Sequence, residues 1–415
     1  MAATNDIRIV AAIDFGCTYS GFACAHKDSP EEIYVQDYDG GNLETPTVLK
    51  YDKDFNVISW GIPALAERTI RRKSNAADDS KSVELFKLHL GNIEEKPYLP
   101  EGLDYKKVIT DYLHEIGKMM KNCLSDKYKY LDFHDQVIII LTIPAEFDNN
   151  AIAILRQCAF EAKLTDARNS RNLKFITEPE AAAIHCMNSL SGNGIKPGDS
   201  FMIVDCGGGT VDLTTRQLLV DYTLGEITER DDDAEISEVD IEELCPTLKQ
   251  YCKVPIHPML AVVKGAVQFG IKEHVITNRI LKWTYGTDIV RKWEPDDPLS
   301  KKLPNGMVKV FHTLVEKGTL LTSQDKDKYT TTFKPFSLFQ SKVSFNMYIT
   351  SKSDVKYCDE EDVRLLNSWE IDIPILDDFD DQKILFTLNF NNIEILATAE
   401  NQRTKDKYQV LFKYE

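Results

Sequence analysis

Residues 12–21, AIDFGCTYSG, and residues 204–213, VDCGGGTVDL, decide the reading of this chain, because each runs a strand-like stretch into an aspartate, a glycine turn and a threonine. Glycine removes the Cβ that would stop consecutive backbone amides from turning inward, so Gly16 in one turn and Gly207, Gly208 and Gly209 in the other can form a concave nest for phosphate oxygens. Thr18 and Thr210 add hydroxyl donors. The carboxylates of Asp14 and Asp205 would repel phosphate directly, so their role in such a nest is to hold a hydrated magnesium that bridges to it. Glu178, at the start of a helix, is a candidate to orient or deprotonate an attacking water. One such turn alone is equally an ordinary hairpin with a polar cap. Two copies of the same design, with Glu178 between them, point to an internally duplicated α/β fold.

Outward from the turns, residues 7–13 and 20–26 read as the strands flanking the first, and residues 201–205 and 210–219 repeat that layout. Over 104–123, Val108, Tyr112, Leu113, Ile116, Met119, Met120 and Cys123 recur at the spacing of an amphipathic helix. A buried-type strand at 137–143 meets Pro144, and a helix starts near Asp148, whose side chain can cap it. Its inner face is Ile152, Leu155, Ala159 and Ala162. A strand at 173–177 runs into Glu178-Pro179-Glu180, where proline in the first turn favours a helix start. Residues 229–243, ERDDDAEISEVDIEE, crowd nine acidic residues around one arginine, which reads as a solvated junction. Residues 258–270, PMLAVVKGAVQFG, return to an apolar helix.

From Asn278 the pattern turns to β. Val343, Phe345, Met347 and Ile349 alternate with polar residues, as do Ile384, Phe386, Leu388 and Phe390, then Ile393, Ile395, Ala397 and Ala399, with Asn391-Asn392 as a turn signal between the last two runs. This third of the chain reads as an antiparallel sandwich.

Bulk properties narrow the function classes. A chain of 415 residues exceeds one hydrophobic core, so two or three domains are expected. The net charge of -17 would repel a phosphate backbone, which excludes nucleic acid as a natural partner. The start, MAATNDIRIV, has no basic leader before an apolar run, and no stretch reaches membrane-spanning length, so the expectation is a cytoplasmic protein with no membrane partner. Nine cysteines without a C-x-x-C pair read as reduced thiols, Cys206 among them as a small buried residue.

The two turns, together with residues 142–164, TIPAEFDNNAIAILRQCAFEAKL, and 175–186, FITEPEAAAIHC, resemble in order and spacing the 70-kDa heat-shock chaperone family of the actin-like ATPase superfamily. Residues 207–219, 279–293 and 303–319 are similar to its divergent heat shock 70 kDa protein 12-like branch. The resemblance implies an actin-like, ribonuclease-H-like duplicated core, ATP and Mg2+ as ligands, and weak ATP hydrolysis. It makes Gly16, Thr18, Gly207, Gly208, Gly209 and Thr210 the phosphate contacts, with Cys17 and the flanking Tyr19 also cofactor-binding, Asp14 and Asp205 the magnesium shell, and Glu178, Asp205 and Asp14 the catalytic group. It also implies unfolded or extended apolar polypeptides as clients of the sandwich, and co-chaperones as further partners.

The expected layout is a first actin-like lobe at 1–190, a shortened and incomplete second lobe at 191–275 and a β-sandwich at 276–415. Three departures from the family pattern stand out. The adenosine-binding turn should precede residue 258, where only the acidic junction and LCPTLKQYCKVPIHP stand. The stretch after the second turn is too short for the subdomain that closes over the base. The family's catalytic lysine would fall at Leu65, which cannot stabilise charge on a phosphoryl group. The alternative to an ATPase is therefore a nucleotide-independent protein-binding module with a vestigial core. A sugar or acetate kinase would share the turns but leave the sandwich unexplained.

Overall fold

The structure is a computed structural model and describes residues 7–411 except 39, 67–80, 92, 94, 193–195, 209–210, 220–222, 227–254, 256, 273–275, 323–328, 336–339, 374–382 and 391–394. The chain folds as two compact units, one built from residues 1–224 and 231–275, the other from 225–230 and 276–415. The acidic junction, Gly209, Thr210 and the Asn391-Asn392 turn lie outside the described residues.

The first unit is mixed α/β. Strands β1 (Ile9–Phe15) and β2 (Tyr19–His26) form an antiparallel hairpin around the first glycine turn. Two short strands, β3 (Tyr34–Val35) and β4 (Thr45–Pro46), pair with β2, while β5 (Val48–Tyr51), β6 (Val57–Trp60) and β7 (Lys81–Glu84) make a separate small sheet. Helix α1 (Tyr105–Lys127) leads to β8 (Val137–Ile143), which lies parallel to β1, and helix α2 (Asn149–Glu161) leads to β9 (Leu173–Thr177), parallel to β8. A parallel pair needs a long crossover, and a helix supplies it each time. The seven residues of β8 are all buried, as expected for a run of β-branched and leucine side chains covered on both faces.

Local chemistry sets the helix ends. The Asp104 carboxylate accepts from the Lys106 amide at the start of α1, and Asp148 accepts from Ala151 N at 2.8 Å at the start of α2. Helix α1 buries Val108, Tyr112, Leu113, Ile116 and Met120 as its periodicity predicts, while Ile109 and Leu124 are buried and Met119 and Cys123 only half-buried, so the inner stripe is shifted from the sequence reading. Helix α3 (Glu178–Gly192) follows β9, and after it β10 (Ser200–Cys206) and β11 (Val211–Leu218) form the second hairpin. Helix α4 (Ala261–Ile271) packs along α3 and onto β1 and β8; a Cβ on Gly265 would lie 1.7 Å from Ala181 O. The run 201–204 is apolar on both sides, yet Met202 and Val204 are about half exposed, because among the described residues helix α3 packs against β10 from one face only. No helix among the described residues is long and apolar enough to cross a membrane.

The second unit is an antiparallel sandwich. One sheet orders β14 (Met307–Val315), β13 (Thr284–Lys292), β17 (Lys342–Thr350) and β18 (Arg364–Asp372); the other orders β16 (Tyr329–Phe333), β19 (Ile384–Asn389), β20 (Leu396–Asn401) and β21 (Lys407–Leu411). A further pair, β12 (Ile276–Ile280) with β15 (Leu320–Thr322), precedes and interrupts the first. The sheets share one core in which Phe345 stacks on Phe386 at 4.7 Å between ring centres, with Leu388, Ala397 and Ala399 fully buried beside them. Strand β14 ends at Val315, ahead of the turn to β15 in which Gly318 takes φ +77°.

Candidate functional site

The site lies in the first unit, where the ends of β1 and β8 meet the start of α3. Thr142 Oγ1, near the end of β8, donates to Asp14 Oδ1 at 2.7 Å and accepts the Phe15 amide at 3.3 Å. This hydroxyl joins two strands whose residues are 128 apart in sequence. Asp14 keeps partial access to solvent, but dense packing removes most of its hydration. Burial therefore pushes its carboxyl up to about 8, and the neighbouring negative charge of Glu178 adds to the shift, while the Thr142 hydrogen bond and Lys87 oppose it.

Lys87 is the cation of the site. It sits in the 3-10 turn Phe86–Leu90, entered through Leu85 at φ +59°. A leucine held in the left-handed region costs about 1–2 kcal/mol. The Lys87 ammonium lies 2.6 Å from Glu178 Oε1, its side chain 1% exposed and that of Glu178 12%. Burial alone would lower its pKa, but the attraction of Glu178, with smaller contributions from Cys17 and Asp14, leaves it raised. The rings of Phe15 and Phe147 stand 5.5 and 5.7 Å from the ammonium. Leu65, expected from the family pattern at the lysine position, lies in the helical turn 61–66, and the ammonium beside Glu178 is that of Lys87, 91 residues before it. The signal available in sequence was a lysine set between Phe86 and Leu88 in the short segment FKLHL.

The two glycine turns face each other. A Cβ on Gly208 would stand 2.2 Å from Thr18 Oγ1 and 2.9 Å from Thr18 Cβ, so only glycine admits this approach. Gly16 is equally constrained, because a Cβ there would meet Tyr19 O at 2.1 Å. Cys17 is buried and Tyr19 half exposed. Gly207 is exposed, and Asp205 is half-buried near the end of β10, opposite Asp212. Cys206 is exposed rather than buried, since alternation along β10 turns it outward from the α3 side. The structure thus brings Asp14, Lys87 and Glu178 together, and Thr18 onto Gly208. Among the described residues no three His, Cys, Asp or Glu side chains converge as a ready metal cage.

The residues present nevertheless fit a cation-bridged phosphate. Two turns made of positions that a Cβ would fill provide the cradle, and Asp14 and Glu178 are acidic neighbours with Lys87 beside them. Facing hairpins of one design around an acidic, lysine-bearing floor make this a mixed α/β protein with a candidate anion site. In sequence the chain is similar to 70-kDa heat-shock proteins over about half its length. It is 26% identical to human heat shock 70 kDa protein 12A over 273 residues, which cover 51% of this chain and 40% of that protein. It is 24% identical to the chaperone protein HscA of Buchnera aphidicola over 51% of this chain and 33% of that protein. The chain thus spans well under half the length of the curated relatives it matches. Among solved structures, MreB 5 of Spiroplasma citri bound to AMPPNP aligns over 77% of this chain and 72% of its own, at 13% identity and a TM-score of 0.32. No family model matches the chain.

Proposed function

We propose that this chain binds magnesium nucleotide through the facing glycine turns and hydrolyses it weakly, as a cytoplasmic relative of the heat-shock ATPases. The observation that carries the reading is the contact of Gly208 with Thr18 directly beside the Asp14, Lys87 and Glu178 cluster. Bound magnesium, held by Asp14 and Asp205, would neutralise charge on the phosphate oxygens. The chain's own part is to present amides and the Thr18 hydroxyl to those oxygens, to offer the Lys87 ammonium to developing negative charge, and to orient water with Glu178. Burial of the adenine is the weak element, because the expected adenosine turn is missing from the sequence before residue 258. A dissociation constant for magnesium ATP weaker than micromolar, less than roughly 8 kcal/mol of binding, is the expected result of titration calorimetry. Glu178→Gln should abolish turnover with binding nearly unchanged, and Asp205→Asn should weaken both. Unchanged turnover in both variants overturns the assignment.

A second reading concerns the sandwich alone. Its core, centred on Phe345 and Phe386, is self-contained, which supports capture of extended apolar polypeptides by backbone pairing without nucleotide control. Anisotropy of labelled hydrophobic heptapeptides with fragment 276–415 tests it: micromolar binding is expected, and no binding by a folded fragment refutes it.

A further inference from the structure

We infer that Thr47 is the positioning residue that sets the first glycine turn into its anion-binding shape, an inference that rests on the phosphate reading of that turn. Thr47 is fully buried between β4 and β5 and makes two bonds to the turn. Its Oγ1 donates to Gly16 O at 2.9 Å, and its backbone amide donates to Thr18 O at 2.8 Å. Since that hydroxyl proton is committed to Gly16, the 2.8 Å contact between Ser20 Oγ and Thr47 Oγ1 has Ser20 as donor. Tyr112 Oη on α1 donates to Pro46 O at 3.2 Å, holding the preceding residue in place, and the register of β4 on β2 pairs Pro46 with Tyr19.

The consequence is stereochemical. A trans peptide points its carbonyl and its N–H in opposite directions, and the chain has no cis peptide among its described residues. With the carbonyls of Gly16 and Thr18 both drawn to Thr47, the amides of Cys17 and Tyr19 both point away from it. Two alternate amides directed to one side are the arrangement that receives an oxyanion, and the ligand class is the terminal phosphates of a nucleotide. Thr47 itself touches no ligand in this scheme; it acts through the two peptide planes.

The test compares Thr47→Ser, which keeps the hydroxyl, with Thr47→Val, which keeps the shape and the backbone bond but loses the donor. In the full chain, Thr47→Val should weaken magnesium ATP binding by roughly tenfold while Thr47→Ser stays within about twofold, the scale of one hydrogen bond. A second readout needs no ligand. Carbonyl-13C glycine combined with 15N cysteine isolates the Gly16–Cys17 peptide, the single Gly-Cys step in the sequence, and its carbonyl signal should move upfield in the valine variant alone. Equal behaviour of the two variants in the carbonyl signal overturns the clamp. A moved signal with no loss of affinity overturns its role in binding. If the unmodified chain takes no magnesium ATP, the functional reading of the turn fails and the role in binding fails with it, while the carbonyl signal alone decides whether Thr47 sets the turn.

Discussion

The Lys87 ammonium and the Glu178 carboxylate stand 2.6 Å apart in the floor of the site, both withdrawn from water. Removing one partner of such a buried pair leaves the other charged and unpaired, at a cost of about 3–5 kcal/mol. Lys87→Met should therefore lower the denaturation midpoint strongly, and the Lys87→Met, Glu178→Gln double variant should recover much of the loss. A double-mutant cycle by urea unfolding measures this. Additive losses would show that the two side chains do not interact in solution. Any turnover should vanish with Lys87→Met.

Asp14 predicts a pH dependence with a definite sign. Its folded pKa of about 8 lies above the ordinary aspartate value of 3.8, so between those limits the folded chain holds a proton that the unfolded chain releases. Stability from this group is complete below the unfolded value and falls as pH rises toward the folded one, by at most about 1.4 kcal/mol per pH unit. Without nucleotide or magnesium, thermal midpoints should fall from pH 5 to pH 8, and Asp14→Asn should flatten that slope. A slope that survives the substitution assigns the effect to other groups.

Gly208→Ala should push the glycine turns apart, since the new Cβ would overlap Thr18 Oγ1. Combining it with Thr18→Ala removes the two nearest contacts and should restore part of the lost thermal stability. No stability difference between Gly208→Ala and the unmodified chain would mean that the turns do not meet in solution.

Gly265→Ala tests the packing of α4 on α3, because its Cβ would lie 1.7 Å from the Ala181 carbonyl oxygen. Overpacking against backbone costs typically 1–3 kcal/mol or more, whereas the higher helix propensity of alanine offers at most about 1 kcal/mol. Net destabilisation is expected in chemical denaturation, and a stabilised variant would refute the close approach.

Much of the local structure was legible in sequence, because local structure is recorded in neighbouring residues. The apolar run at 137–143 could only be a strand covered on both faces, and the carboxylate of Asp148 announced the helix that follows it. The glycines of the two turns, and Glu178 at its helix start, were readable for the same reason. Tertiary structure alone decided which groups meet. Thr142 reaches Asp14 only because β8 pairs with β1, and Lys87 reaches Glu178 only because a left-handed leucine turns its segment inward. No periodicity encodes either meeting. Each is chosen by the sum of many packing contacts across the sheet and helices, and a lysine displaced from its expected place by 22 residues of chain, from 65 to 87, looks in sequence like a lysine lost.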